Sequence, residues 1–264
     1  MNKTPASFAA EGNARLNETH DPALRSAIAS ANDMSTDFPI QNLPFAVFRR
    51  ANTDESFRIG VGIGDQILDV CAIQDILEEN AQYAAARCTE ASMDSLMTLS
   101  PAHRASLRLA VSRILREGTI HLKKLQANLI PQEQAEFKLP TKIGAFSDCL
   151  ASIHHISRML KIKRPENPDL PPGFIWTPLA YNGRASTIKA SGHSFLRPNG
   201  QIGLFHDGLP VFGPTRMLDY GAELGIYIGK TTESGQTLTV DEAEEAIFGL
   251  SVLNDWAARD IQGW

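Results

Sequence analysis

The sequence predicts a mostly β fold with α (α+β) that opens with a small antiparallel barrel or sheet. Three observations carry this. Three apolar, β-branched runs, Phe45–Arg50, Phe57–Ile63 and Gln66–Val70, lie close together, broken by turn residues at Asn52-Thr53-Asp54 and Gly64-Asp65. A well-marked helix follows at Pro101–Glu117. Three further runs, Thr187–Ser191, Glu223–Ile228 and Leu250–Asn254, read as strands in the second half.

With 264 residues, 43% hydrophobic and 21% charged, the chain suits one large or two medium domains with an ordinary core. Residues 1–36 are polar and rich in Ala, Ser and Asn, and predict a loose arm with a short helix at Pro22–Ala31. The stretch 37–138 predicts the first domain. Its Gly64-Asp65 pair suits a two-residue hairpin loop. Cys71–Glu79 is a short helical candidate. In Pro101–Glu117, Ser100 stands at the cap, Pro101 in the first turn and Gly118 just past the end. Leu107, Val111, Ile114 and Leu115 give that helix an apolar face. Arg104, Arg108, Arg113 and Arg116 read as a solvated face. Leu139-Pro140 marks the junction to a second domain, 141–264. There Pro165, Pro168, Pro171, Pro172 and Pro178 argue against regular structure, and Asp241–Ile247 reads as a short helix.

A net charge of −5 argues against nucleic acid or an anionic membrane as partner, and no apolar run reaches the length of a membrane span. Cys71, Cys88 and Cys149 are widely spaced, which fits a reducing compartment and gives no zinc spacing. The N-terminus lacks a compact apolar core and carries Glu11, Glu18 and Asp21, so a cytoplasmic location is expected.

Three stretches carry chemistry. In Thr141–Arg164, Asp148 precedes the pair His154-His155 within a mostly apolar and hydroxylic segment. A carboxylate and an imidazole so placed suit a metal or acid–base site. The plainer alternative is that Asp148 caps a helix beginning at Cys149. In Tyr181–Ser186, a Tyr and an Arg flank a glycine turn and could reach one anionic ligand, or simply form a turn with an exposed Arg. In Asn254–Trp264, Asp255, Arg259 and Gln262 follow a β-like run, and the alternative is a surface helix with an Asp255–Arg259 pair.

On these residues the chain resembles the fumarylacetoacetase family. The match runs from NETHDPALRSAIASAN (Asn17–Asn32) through DFPIQNLPFAVF, RIGVGIGDQILDV, FSDCLASIHH and YNGRAS to FGLSVLNDWAARDIQ. The resemblance implies a small N-terminal src-homology-3-like β-barrel and a C-terminal mixed β-roll that carries the active site and mediates homodimerisation. It implies hydrolysis of the carbon–carbon bond of 4-fumarylacetoacetate, a small β-diketo acid, with Ca²⁺ or Mg²⁺ as cofactor. Residue by residue, it implies metal ligands at Asp148, Glu223 and Asp255, a catalytic base at His155 and oxyanion groups at Arg259 and Gln262. Arg164 and Tyr181 match substrate-binding positions, and His154 has no role by this match.

Two positions depart from the family pattern. A metal glutamate two residues before Glu223 is here Gly221, and Asp219 lies on the same strand face but too far along to replace it. A substrate tyrosine two residues after Asp148 is here Leu150. The family also continues beyond the position of Trp264, with a lysine of the oxyanion site and a glutamate that orients the histidine. The expectation is therefore the front portion of a family member, with an incomplete β-roll and little or no hydrolysis by these 264 residues. A non-catalytic relative acting by binding or assembly, or a hydrolase of another β-diketone such as an acylpyruvate, remain the alternatives.

Overall fold

The computed structural model describes residues 16–177, 179–203 and 209–263. It divides into two compact units, one formed by Met1–Pro140 with Ser191–Trp264 and the other by Thr141–Ala190.

The first unit begins with strands β1 (Phe45–Arg50), β2 (Arg58–Ile63) and β3 (Gln66–Asp69). Helices α1 (Glu79–Ala85), α2 (Asp94–Met97), α3 (Pro101–Ile114) and α4 (Leu122–Ala127) follow, then β4 (Leu129–Pro131) and β5 (Ala135–Lys138). The five strands form one antiparallel sheet in the order β4-β3-β2-β1-β5. Alternation along β1 sends Val47 and Phe48 to opposite faces, and each is buried in a different cluster. The larger cluster joins Ile59, Ile63 and Leu68 to Leu107, Val111 and Leu115 of the α3 region.

The β2–β3 hairpin turns at Gly64, whose φ of 57° is left-handed. A Cβ there would also run into Ser30, so glycine is required twice over. Ser100 caps α3 through the amide of His103, as its sequence predicts, and Gly118 follows with a φ of 80°. The stretch from Cys71 differs from the expected helix: a 3₁₀ segment, Cys71–Ile76, ends before α1 starts.

Two expectations for this unit are corrected. The first 15 residues of the expected arm lie outside the described residues, but residues 16–36 are packed, with Thr19, Ser26, Ile28 and Ala31 buried. Their helical content is two 3₁₀ turns, Glu18–His20 and Ala29–Asn32. The four arginines expected as a solvated face are also all bonded, and of them Arg113 alone is exposed. Arg113 and Arg116 both hold Glu18, and Arg108 donates to the Gln41 carbonyl at 2.6 Å. Arg104 donates to the Glu245 and Ile247 carbonyls and lies over the Phe248 ring at 5.4 Å. Neighbouring chain covers this helix on several sides, so its cations serve as staples.

The second unit holds β6 (Ser147–Leu150), α5 (Ile153–Lys163) and β7 (Leu179–Asn182). The first unit resumes with β8 (Asn199–Ile202), β9 (Val211–Pro214), β10 (Leu218–Ile228), α6 (Val240–Ala246), β11 (Ile247–Ala258) and α7 (Arg259–Gln262). β8 pairs with β9, and β10 pairs with β11 along nearly their whole length. The expected strand at Thr187–Ser191 is absent. A 3₁₀ turn, Ala185–Thr187, stands at its start, and the Thr187 hydroxyl bonds back to the Arg184 carbonyl, competing with strand pairing. Among the described residues, no helix is long and apolar enough to cross a membrane.

Candidate active site

The β10–β11 ladder sets one group of site residues. Its register places Gly221 opposite Asp255 and Glu223 opposite Leu253. Side chains alternate, so Asp219, Gly221 and Glu223 share a face with Leu253, Asp255 and Ala257. The opposite face carries Tyr220, Leu224 and Ile226 beside Trp256, Val252 and Leu250.

Gly221 shapes this face by what it lacks. Glu223 Oε1 lies 3.0 Å from where a Cβ at 221 would stand, so the Glu223 side chain leans back over the glycine. That brings it beside Asp255, and the two residues offer carboxylate oxygens within 4.8 Å of one another. Two half-buried acids this close are disfavoured by like charge and favour a cation. Their oxygen donors fit a hard divalent ion.

Arg259 lies where β11 gives way to α7. Its Nε donates to Asp219 Oδ2 at 2.8 Å and its second arm to Gln262 Oε1 at 2.9 Å. The expected spacing thus joins Arg259 to Gln262, but Asp255 is still in the strand and the acid holding Arg259 is Asp219. Arg259 beside Asp219 holds that carboxyl below its ordinary value. The turn is anchored by Asp260, which is fully buried. Burial works to raise the Asp260 carboxyl, but hydrogen bonds from the Thr215 hydroxyl and the Arg216 amide (2.7 Å) outweigh it and hold it low. Neither acid was assigned a role by sequence. Asp219 shares a strand face with Glu223 by simple alternation, whereas the partners of Asp260 lie about 45 residues away and leave no local signal.

The second unit holds Asp148, His155, Arg164 and Tyr181. Asp148 is not a helix cap. It sits on β6 opposite Tyr181 on β7, and the Tyr181 hydroxyl donates to Asp148 Oδ2. Ser152 caps α5 instead, accepting from the His155 amide at 3.2 Å. His155 is exposed in the first turn of α5, and Arg164 is its exposed C-cap. Gly183 is no turn glycine. Its amide donates to the Phe146 carbonyl at 2.7 Å, and a Cβ would run into the Phe146 ring.

The eight expected site residues therefore fall four to each unit. Glu223, Asp255, Arg259 and Gln262 come together on one hairpin and its end, and Asp148 and Tyr181 on another.

The family model described as Fumarylacetoacetase N-terminal matches residues 41–140, and that described as Fumarylacetoacetate (FAA) hydrolase C-terminal matches 145–264. The chain belongs to the fumarylacetoacetase family. It is similar to proteins named fumarylacetoacetase from several organisms. That of Oryza sativa subsp. japonica is 37% identical over 238 residues, which covers 86% of this chain and 55% of the relative. That of Caenorhabditis elegans is 35% identical over 239 residues, with 87% and 56% covered. The human protein is 32% identical over 238 residues, again with 87% and 56% covered. The chain thus spans little more than half the length of these relatives.

Proposed function

We propose that this chain is a fumarylacetoacetase-type hydrolase. It would cleave the carbon–carbon bond of 4-fumarylacetoacetate to fumarate and acetoacetate, the last step of tyrosine and phenylalanine breakdown. The observation that carries the reading is one hairpin face: two adjoining carboxylates, Glu223 and Asp255, with the Arg259 guanidinium and the Gln262 amide at its end. Family membership gives that chemistry its substrate class.

In this reading Asp148 joins Glu223 and Asp255 to hold a Ca²⁺ or Mg²⁺ ion, which when bound supplies Lewis acidity toward a diketone carbonyl. His155 takes a proton from water, and the hydroxide oxygen forms the new bond to the carbonyl carbon. Arg259 and Gln262 donate to the oxyanion that develops. As the carbon–carbon bond breaks, its electron pair leaves with the acetoacetate carbon and His155 returns a proton there. Arg164 and Tyr181 hold the substrate, the guanidinium by paired bonds to a carboxylate.

The same reading takes 37–138 as the src-homology-3-like domain and 141–264 as part of the mixed β-roll, in a cytoplasmic homodimer. Gly221 removes one carboxylate from the family set, so saturation should need more cation than a four-carboxylate site does.

The test follows loss of fumarylacetoacetate absorbance with excess Mg²⁺ or Ca²⁺. Cation-dependent consumption abolished by His155→Ala supports the reading. Consumption indifferent to both the cation and His155→Ala would overturn it.

A further inference from the structure

We propose that Tyr181 is a positioning residue for Asp148: its hydroxyl fixes the carboxylate in the orientation that a divalent cation requires. The inference rests on the reading of Asp148 as a cation ligand and adds a role that the substrate-binding assignment of Tyr181 does not contain.

The geometry begins with the register of β6 and β7. Asp148 lies directly opposite Tyr181, so their side chains rise from the same face as cross-strand neighbours. The flanking pairs on that face are Phe146 with Gly183 and Leu150 with Leu179. Neither Gly183 nor the side chains of Phe146, Leu150 and Leu179 can hydrogen-bond, so among these cross-strand neighbours the phenol of Tyr181 is the group that can steady Asp148. It does so, donating its O–H to Oδ2 and leaving Oδ1 for another partner.

The register itself is locked. At the end of the pair the Gly183 amide reaches the Phe146 carbonyl at 2.7 Å, and the Phe146 ring occupies the space where a Cβ at 183 would be. A slip by one residue would put Tyr181 on the other face from Asp148. The motif Tyr-Asn-Gly-Arg therefore works as a unit, with Gly183 setting the register and Tyr181 using it.

Asp148 is half-buried on β6, but its side chain still has two torsions, and a cation ligand must be held in one setting. Hydrogen bonds from outside the ligand shell supply that restraint, and their loss typically weakens metal binding about 10- to 100-fold.

The experiment is calorimetric titration of the full chain with Ca²⁺ alone, with no substrate, for the unsubstituted protein and Tyr181→Phe. Tyr181 is half exposed, so removing its hydroxyl leaves the packing intact, and a thermal melt checks this. The expected result is a dissociation constant raised about 10- to 100-fold at an unchanged melting temperature. A residue that only touches substrate would leave Ca²⁺ binding unaltered, and equal constants would overturn the inference while the proposed function stands. No Ca²⁺ binding by the unsubstituted chain would overturn the inference together with the metal site on which it rests.

Discussion

The guanidinium of Arg259 is clamped between Asp219, 2.8 Å from its Nε, and Gln262, 2.9 Å from its second arm. Asp219 lies two residues before Gly221 on the same face of β10, so this acid orients the Arg259 side chain. Asp219→Asn keeps the shape and removes the charge. Because the pair is well exposed, the melting temperature should barely change. Hydrolysis should slow with the loss in kcat, toward the roughly 100-fold that misplacing a catalytic group can cost. A rise in KM at constant kcat would instead place Asp219 against the substrate.

Gly183→Ala tests the β6–β7 lock. A methyl there must displace the Phe146 ring or break the 2.7 Å bond beneath it. Overpacking of this kind costs about 1–3 kcal/mol. Hydrogen exchange at the amides of β6 and β7 should quicken, while β1 and β2 keep their protection. Unaltered exchange in β6 would mean that the ring swings aside without cost.

Glu18 ties the N-terminal segment to α3. Burial acts to raise its carboxyl, but hydrogen bonds from Arg116 and Arg113 prevail and hold it below its ordinary value. A lowered carboxyl contributes stability that is present above its unfolded value, near ~4.3, and is lost as pH falls through the folded one. Glu18→Gln should therefore cost about 1 kcal/mol or less at pH ~7, given the exposure of the pair. The gap between the two proteins should close as pH falls below ~4, and should shrink with added salt. Denaturant melts across that range measure it, and a gap that persists in acid would assign the effect to packing.

Burial pushes the Cys88 thiol up to about 12, with the nearby Cys71 and Asp69 adding to it. Cys71 is also raised, first by burial, whereas Cys149 is exposed. The thiolate is the reactive form, so alkylation near pH ~8 should label Cys149 first and Cys88 only on unfolding. Peptide mass spectrometry reads the order. Early labelling of Cys88 in the folded protein would show that the core around it opens.

How much of this was legible in the sequence depends on how local the cause is. β1 was found to the residue, and β2 and β3 to within one, because alternation and turn chemistry sit in the segments themselves. The cap of α3 was equally local. The arginines from Arg104 to Arg116 carry no such local signal, because charge looks alike on a solvated face and under covering chain and their partners at Glu18, Gln41 and Glu245 are remote. At the candidate site, residue types pointed to Asp255, Arg259 and Gln262, and the resemblance added Glu223. The clamp by Asp219, the buried Asp260 and the Tyr181–Asp148 bond depend on register, which no single stretch encodes. Asp148 looked like a cap because an acid before an apolar run is the commonest such signal, yet Ser152 holds that place four residues on.

Gly221→Glu is the sharpest test of the carboxylate face. A side chain at 221 meets Glu223 Oε1, but that oxygen is the far end of a flexible chain and can swing away at small cost. The larger effect is charge. A third acid beside Glu223 and Asp255 raises repulsion when no cation is present and strengthens attraction when one is. The variant should thus melt lower than the unsubstituted chain in chelator and gain more on addition of Ca²⁺. Stabilisation by a ligand grows with its concentration relative to the dissociation constant, so the two melting curves should cross as Ca²⁺ rises. Each tenfold tightening is worth about 1.4 kcal/mol, and tightening on the order of tenfold is expected. Gly221→Ala separates bulk from charge: it should share the steric cost and show no extra response to Ca²⁺. If the glutamate and alanine variants respond alike to Ca²⁺, position 221 lies outside the ion's reach, and Glu223 leans over Gly221 for reasons of packing alone.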